Sequence, residues 1–63
     1  MTKYCELYYT TKKTDKGYYW VVRNLEGKKL ESSLDNKDKD FHYFPTKGEA
    51  QQEAKDAISY HYI

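Results

Sequence analysis

One cysteine, two histidines and a run of aspartates are the side chains in this chain that could serve as nucleophile, base or metal ligand. Cys5, His42, His61 and Asp40 would need to converge with an oxyanion donor in a concave site to do nucleophilic or acid–base work. A chain of 63 residues has little depth for such a pocket, and no local nucleophile motif surrounds any of the four. No catalytic residue is therefore expected. The run Asp35-x-x-Asp38-x-Asp40 offers the oxygens that hold a hard cation. It lacks the D-x-[DN]-x-[DN]-G spacing and the closing Glu of a calcium loop, and Lys37 and Lys39 oppose a cation. It reads as a solvated, mobile loop, and neither metal nor cofactor is expected.

The remaining chemistry is that of binding. Lys12, Lys13 and Lys16 crowd one polar stretch, Lys28 and Lys29 flank another, and Arg23 shares a strand face with Tyr19 and Val21. If a helix covers the Tyr18/Trp20/Val22 face, Tyr19 and Arg23 point outward. If it covers the Tyr19 face, Trp20 is the exposed ring. Either ring, with Arg23 and the lysines, suits a protein partner, because Tyr, Trp and Arg dominate interface hot spots. The same set could contact phosphates and stack on bases. A purely structural role, rings stabilising cross-strand pairs, accounts for the same residues.

Size and composition bound these readings. Sixty-three residues make one domain, residues 1–63, close to the lower limit for folding alone. Eight Tyr, two Phe and one Trp must build much of the core, with hydroxyls at its margin. The formal net charge of +1 excludes a histone-like electrostatic binder, yet it is unevenly spread. Residues 1–30 carry seven basic and three acidic side chains, whereas residues 31–63 carry four and seven. That division predicts a basic face and an acidic face, with random scatter as the alternative. A lone thiol rules out an internal disulfide. With no signal-like or long apolar run, it points to the cytoplasm and away from a membrane. Met1 reads as the native start of a small stand-alone protein.

The elements that must position these residues follow from pattern. Residues 3–10 form a breaker-free strand, with Cys5, Leu7 and Tyr9 on the buried face and Tyr4, Glu6 and Tyr8 opposite. Cys5 is thus expected to be a small buried hydrophobe. Residues 11–17 read as a lysine-rich turn ending in Gly17. Residues 18–24 are the strongest strand, apolar on both faces and hence central. After the Asn24–Gly27 turn, residues 28–34 give a third strand, with Leu30, Ser32 and Leu34 opposite Lys29, Glu31 and Ser33. Residues 41–44 are extended, either a short fourth strand or a segment lying across the sheet. Thr46-x-x-Glu49 then forms a capping box behind Pro45, and a helix runs from Lys47 to about Tyr60. Ala50, Ala54, Ala57 and Ile58 make its apolar stripe, small enough for close approach to a ring-rich sheet.

The run Phe44-x-Thr46-Lys47-x-Glu49-Ala50-x-x-x-Ala54 follows Tyr19-Trp20-Val21-Val22 and Gly27-Lys28-Lys29. This order resembles small DNA-binding domains built from a three-stranded sheet and a helix. Examples are the AP2 type and the amino-terminal arm-binding domains of phage and transposon integrases, which share the Gly17-Tyr18-Tyr19 opening. The resemblance implies a sheet laid in the DNA major groove, with Arg23 and the turn lysines at the contacts. Uncharacterised bacterial domains with a W-x-V strand and F-x-T-K-x-E-A are similar too, as is the hybrid-binding domain of some ribonucleases H. The likeness spans residues 17–58.

The expected architecture is α+β: a three-stranded antiparallel meander, with or without a short fourth strand, packed by one C-terminal helix. The expected function is non-catalytic binding of a protein partner, with nucleic acid as the alternative. Lys12, Lys13, Lys16, Tyr19, Trp20, Arg23, Lys28 and Lys29 are the candidate contacts. A phage or mobile-element accessory role fits the size, and a free sheet edge could pair two copies.

Overall fold

A computed structural model describes residues 2–62 and shows a four-stranded antiparallel sheet with one C-terminal helix. The strands are β1 (Thr2–Tyr4), β2 (Leu7–Thr14), β3 (Gly17–Arg23) and β4 (Lys29–Ser32), in the spatial order β1-β2-β3-β4. Two single 3₁₀ turns, Ser33–Asp35 and Lys39–Phe41, lead to α1 (Lys47–Tyr62).

The fourth strand is at the other end of the chain from the expected one. Residues 3–10 do not form one strand. They break at Cys5 and Glu6, which adopt φ of +52° and +64° and close a two-residue hairpin between Tyr4 and Leu7. Positive φ at both central positions gives the turn a twist that matches the strands it joins. The break has two consequences. Cys5 sits exposed in the turn, not buried on a strand face. Tyr4 comes to lie opposite Leu7 and packs at the edge of the core, contrary to simple alternation. The lysine-rich stretch is likewise strand as far as Thr14, where Lys12 pairs with Tyr19 and Lys13 with Tyr18. Only Asp15 and Lys16 turn.

Residues 41–44 supply a single bridge, not a strand. Tyr18 N–H donates to the Phe44 carbonyl and Phe44 N–H to the Tyr18 carbonyl, both at 2.8 Å. Between that bridge and β4, the edge of β3 is completed by a side chain. The buried Ser33 hydroxyl accepts from Trp20 N–H at 3.1 Å and donates to the His42 carbonyl at 2.9 Å. The charged loop is also organised: Asn36 Oδ1 accepts from Asp38 N–H, and Asp38 Oδ1 from Asp40 N–H. Its acids serve turn geometry. His42 Nε2–H donates to the Asn36 carbonyl at 2.6 Å, tying the loop's two ends together.

Thr46 caps α1: its hydroxyl accepts from Glu49 N–H at 3.2 Å, the expected half of the capping box. Ala50, Ala54 and Ile58 are fully buried, and Ile58 and Ala54 join Tyr9, Trp20 and Val22 in the core. Alanines bring the helix axis close to the sheet, and the Tyr9 and Trp20 rings fill the remaining space. The helix therefore covers the Tyr18/Trp20/Val22 face. It packs over β2 and β3 and leaves β4 at its flank.

Gly17 permits this arrangement at the sheet's edge. Its φ is +125°, and a Cβ there would stand 2.8 Å from the Phe44 carbonyl oxygen, a backbone atom held by its bond to Tyr18. Gly17→Ala is expected to destabilise the fold by roughly 2 kcal/mol through strained φ and displacement of residues 43–44. Urea unfolding measures this, and amide exchange at Tyr18 should speed up with it.

Candidate functional site

The face turned away from α1 is built by cross-strand rows. Lys3, Tyr8 and Arg23 lie opposite one another across β1, β2 and β3, as do Lys12 and Tyr19 across β2 and β3. Thr10, Val21 and Ser32 form the row between them. Val21 is buried although no helix covers it, and the rows on either side of it carry the larger side chains of Tyr8, Arg23, Lys12 and Tyr19. A bulge between Val22 and Arg23 interrupts the expected alternation of β4: Arg23 pairs with Lys29, and Leu30, left without a cross-strand partner, stands 39% exposed. Leu25, in the turn at the same end, is also exposed.

The positioning of the polar groups is local. Arg23 Nη1 donates to the Gly27 carbonyl at 3.1 Å, so the guanidinium is braced against its own turn. That turn is closed by Asn24, whose Oδ1 accepts from the N–H groups of Glu26 and Lys28. At the opposite end, Tyr19 meets Tyr43 edge to face at 6.5 Å, and the Lys16 ammonium lies 5.9 Å above the Tyr43 ring. Lys3 is 3.6 Å from Glu6 in the hairpin turn.

Of the candidate residues, Lys12, Tyr19 and Arg23 share the open face, with Lys16 at its rim. Lys13 pairs with Tyr18, and so alternates to the helix side of β2, where it is exposed. Lys28 is exposed at the far turn, and Lys29 lies opposite Arg23 with its ammonium 3.6 Å from Asp35. Trp20 is not a surface ring: it is 6% exposed beneath α1. Sequence reasoning missed Lys3, Tyr8, Leu30 and Tyr43. The first two follow once the hairpin register is known, and nothing in the local pattern marked the other two.

An acidic groove lies on the helix side. Where α1 leaves β4 uncovered, a groove of about 600 Å³ is lined by Glu31, Asp35, Glu53 and Asp56, with Lys37 the only lysine. His61 Nε2 is 3.6 Å from Glu31 Oε1. The Tyr62 hydroxyl titrates above its ordinary value of 10.0, first because of desolvation and second because of the Glu31 charge.

The groups that nucleophilic or acid–base work would need together are dispersed. Cys5 is in the β1–β2 turn, at one edge of the sheet; His42 hangs on the far edge beside Ser33 and Asn36; His61 faces Glu31. Among the described residues, no three His, Cys, Asp or Glu side chains are grouped to hold a metal ion, and no helix is long and apolar enough to cross a membrane.

No family model matches the chain, no curated protein matches it, and no solved structure does. The chain pairs an open sheet face bearing Lys3, Lys12 and Arg23 with an acidic groove beside α1.

Proposed function

We propose that the chain is a non-catalytic binding module that engages a protein partner through the open sheet face. The observation carrying this is the uncovered side of the sheet, where the exposed Leu30 lies at the Tyr8/Arg23 end and Tyr19 and Lys12 form a row at the other. An apolar anchor flanked by tyrosines and an arginine is the composition of an interface centre, and lysines suit its rim. The complementary partner surface is acidic at its margin and apolar at its centre. An accessory role in a phage or mobile element, in the cytoplasm, fits a module of this size. Pairing two copies by an edge is the weaker arrangement, since β1 offers three residues and β4 four.

A second reading, a nucleic-acid surface, is favoured by one observation. The strand residues of the open face include Lys3, Lys12 and Arg23 and no carboxylate. This is the surface that the resemblance to sheet-based DNA-binding domains would place against phosphates. Leu30 and the bracing of Arg23 by Gly27 favour the protein partner.

Affinity capture separates the two. The wild-type chain and the helix-face control Gln52→Ala should retain the same protein, and Tyr19→Ser/Arg23→Ser should lose it. Retention abolished by nuclease, with a steep fall of oligonucleotide affinity on adding salt, would establish the second reading instead. Equal retention by all three chains would contradict both.

A further inference from the structure

At the other end of α1 from the acidic groove, a cavity of about 190 Å³ opens between the first turns of the helix and the sheet. Thr2, Tyr9 and Thr11 line it from β1 and β2, and Lys47 and Gln51 line it from α1. Strand register explains the meeting: Tyr9 pairs with Thr2, and Thr11 follows Tyr9 on the same face of β2. Lys47 and Gln51, at i and i+4, share one side of the helix. Tyr9 sets the character of the cavity. It is 5% exposed, with its ring in the core cluster of Val22, Ala54 and Ile58. Among the described residues its hydroxyl makes no hydrogen bond, yet it is not sealed off, as Trp20 Nε1 and Glu31 Oε2 are. The buried ring thus ends in an unpartnered, reachable hydroxyl at the cavity. A tyrosine buried to this degree ordinarily finds a partner for its O–H.

The charge at this cavity is positive. Among the described residues that line it, Lys47 alone is charged, and the positive end of the α1 macrodipole adds to its ammonium. The Thr46 hydroxyl takes the Glu49 N–H and the Thr46 carbonyl takes the Ala50 N–H, which leaves the Lys47 and Gly48 N–H groups with no intrahelical acceptor. Beside them stand the hydroxyls of Thr2, Tyr9 and Thr11 and the Gln51 amide, all able to donate. A positive end ringed by donors selects an oxyanion. The donors come from the helix and from two strands, so they surround the cavity instead of lying in one plane. A tetrahedral phosphate directs oxygens to several sides at once, whereas a carboxylate is planar. The cavity is larger than a phosphate group alone and admits a short stem behind it.

We infer that this cavity binds a phosphate monoester, its oxygens held by the Lys47 ammonium, the free N–H groups of the first turn of α1 and the Tyr9 hydroxyl, with Gln51 and Thr11 at its sides. The site is on the helix side of the sheet, away from Tyr19 and Arg23, and does not depend on which polymer the open face takes.

Titrating the labelled chain with inorganic phosphate should shift the NMR signals of the Lys47 and Gly48 amides and the Gln51 side-chain amide together and saturably, with a dissociation constant on the order of millimolar for so small a ligand. Sodium chloride at equal ionic strength should give no saturable shift. Glycerol phosphate and N-acetyl-O-phosphoserine methylamide carry the group on a short stem, and at least one should bind several-fold more tightly than inorganic phosphate. The tighter of the two tells a small metabolite from a phosphorylated side chain. Lys47→Gln, at an exposed position, should weaken binding about tenfold by the loss of a charge-assisted bond. Tyr9→Phe should weaken it several-fold and leave the urea midpoint in place, because among the described residues no bond uses the hydroxyl. Absence of a saturable shift, acetate binding as tightly as phosphate, or unchanged affinity in both variants would overturn the site. Both esters binding no more tightly than inorganic phosphate would overturn the monoester assignment.

Discussion

Ile58→Ala is expected to leave much of the chain unfolded at 25 °C. Ile58 is fully buried on the last complete turns of α1, in the cluster with Tyr9, Trp20, Val22 and Ala54. Removing three carbons there costs about 2–5 kcal/mol, from lost transfer energy and from the cavity left behind. A core of this size rarely supplies more than about 3–5 kcal/mol in total. The cavity cannot readily collapse. The neighbouring helix positions are alanines with no side chain to swing in, and the rings of Tyr9 and Trp20 are fixed by strand register. Circular dichroism against urea should show the midpoint shifted strongly downward. A loss under about 1 kcal/mol would mean that α1 is not held by this contact.

The second large effect is at Ser33. Ser33→Ala removes one oxygen and leaves two backbone groups, Trp20 N–H and the His42 carbonyl, without their partner. Each buried group left unsatisfied costs about 1–3 kcal/mol, so the variant should approach the severity of a core truncation while creating almost no cavity. The loss should be local first. Amide exchange at Trp20 and Tyr18 is expected to accelerate before the rest of β3, since Ser33 and Phe44 together complete that edge. An unchanged unfolding midpoint would show that water replaces the hydroxyl without cost.

Much of this fold was legible in the sequence, and the failures share a cause. The helix and its cap, the central strand and the alanine stripe follow from period and capping chemistry that depend on local residues alone. The first hairpin was not legible, because Cys5-Glu6 has none of the Asn or Gly that usually supplies positive φ. Missing it misplaced Cys5 and put Tyr4 on the wrong face. The extent of β2 was hidden for the opposite reason: Thr11 to Thr14 are polar enough to read as a turn, but Tyr18 and Tyr19 across the ladder hold them in register. Ser33 was invisible as a joint because its two partners are separated from it by 13 and 9 residues.

The site was legible only in part. Arg23 and Tyr19 could be placed on one face by alternation, but Lys12 joins them only because β2 extends to Thr14, and which face α1 covers depends on tertiary packing. The charge division between the chain's halves did become spatial. The open face draws its cations from the first half, and the groove draws its carboxylates from the second. Trp20 shows the limit most clearly: its type suggested an exposed anchor, whereas it lies under the helix.

The central claim is that α1 covers the Trp20 face and leaves the Tyr19/Arg23 face open. Solvent paramagnetic relaxation with an inert gadolinium chelate tests it directly, because attenuation reports distance from bulk water. Strong attenuation at Leu30, Lys12 and the Tyr8 and Tyr19 rings, with protection at Ile58, Val22 and Ala54, is the predicted result. Protection of the Tyr19 face with attenuation of Val22 would contradict the account and remove the surface on which the proposed function stands.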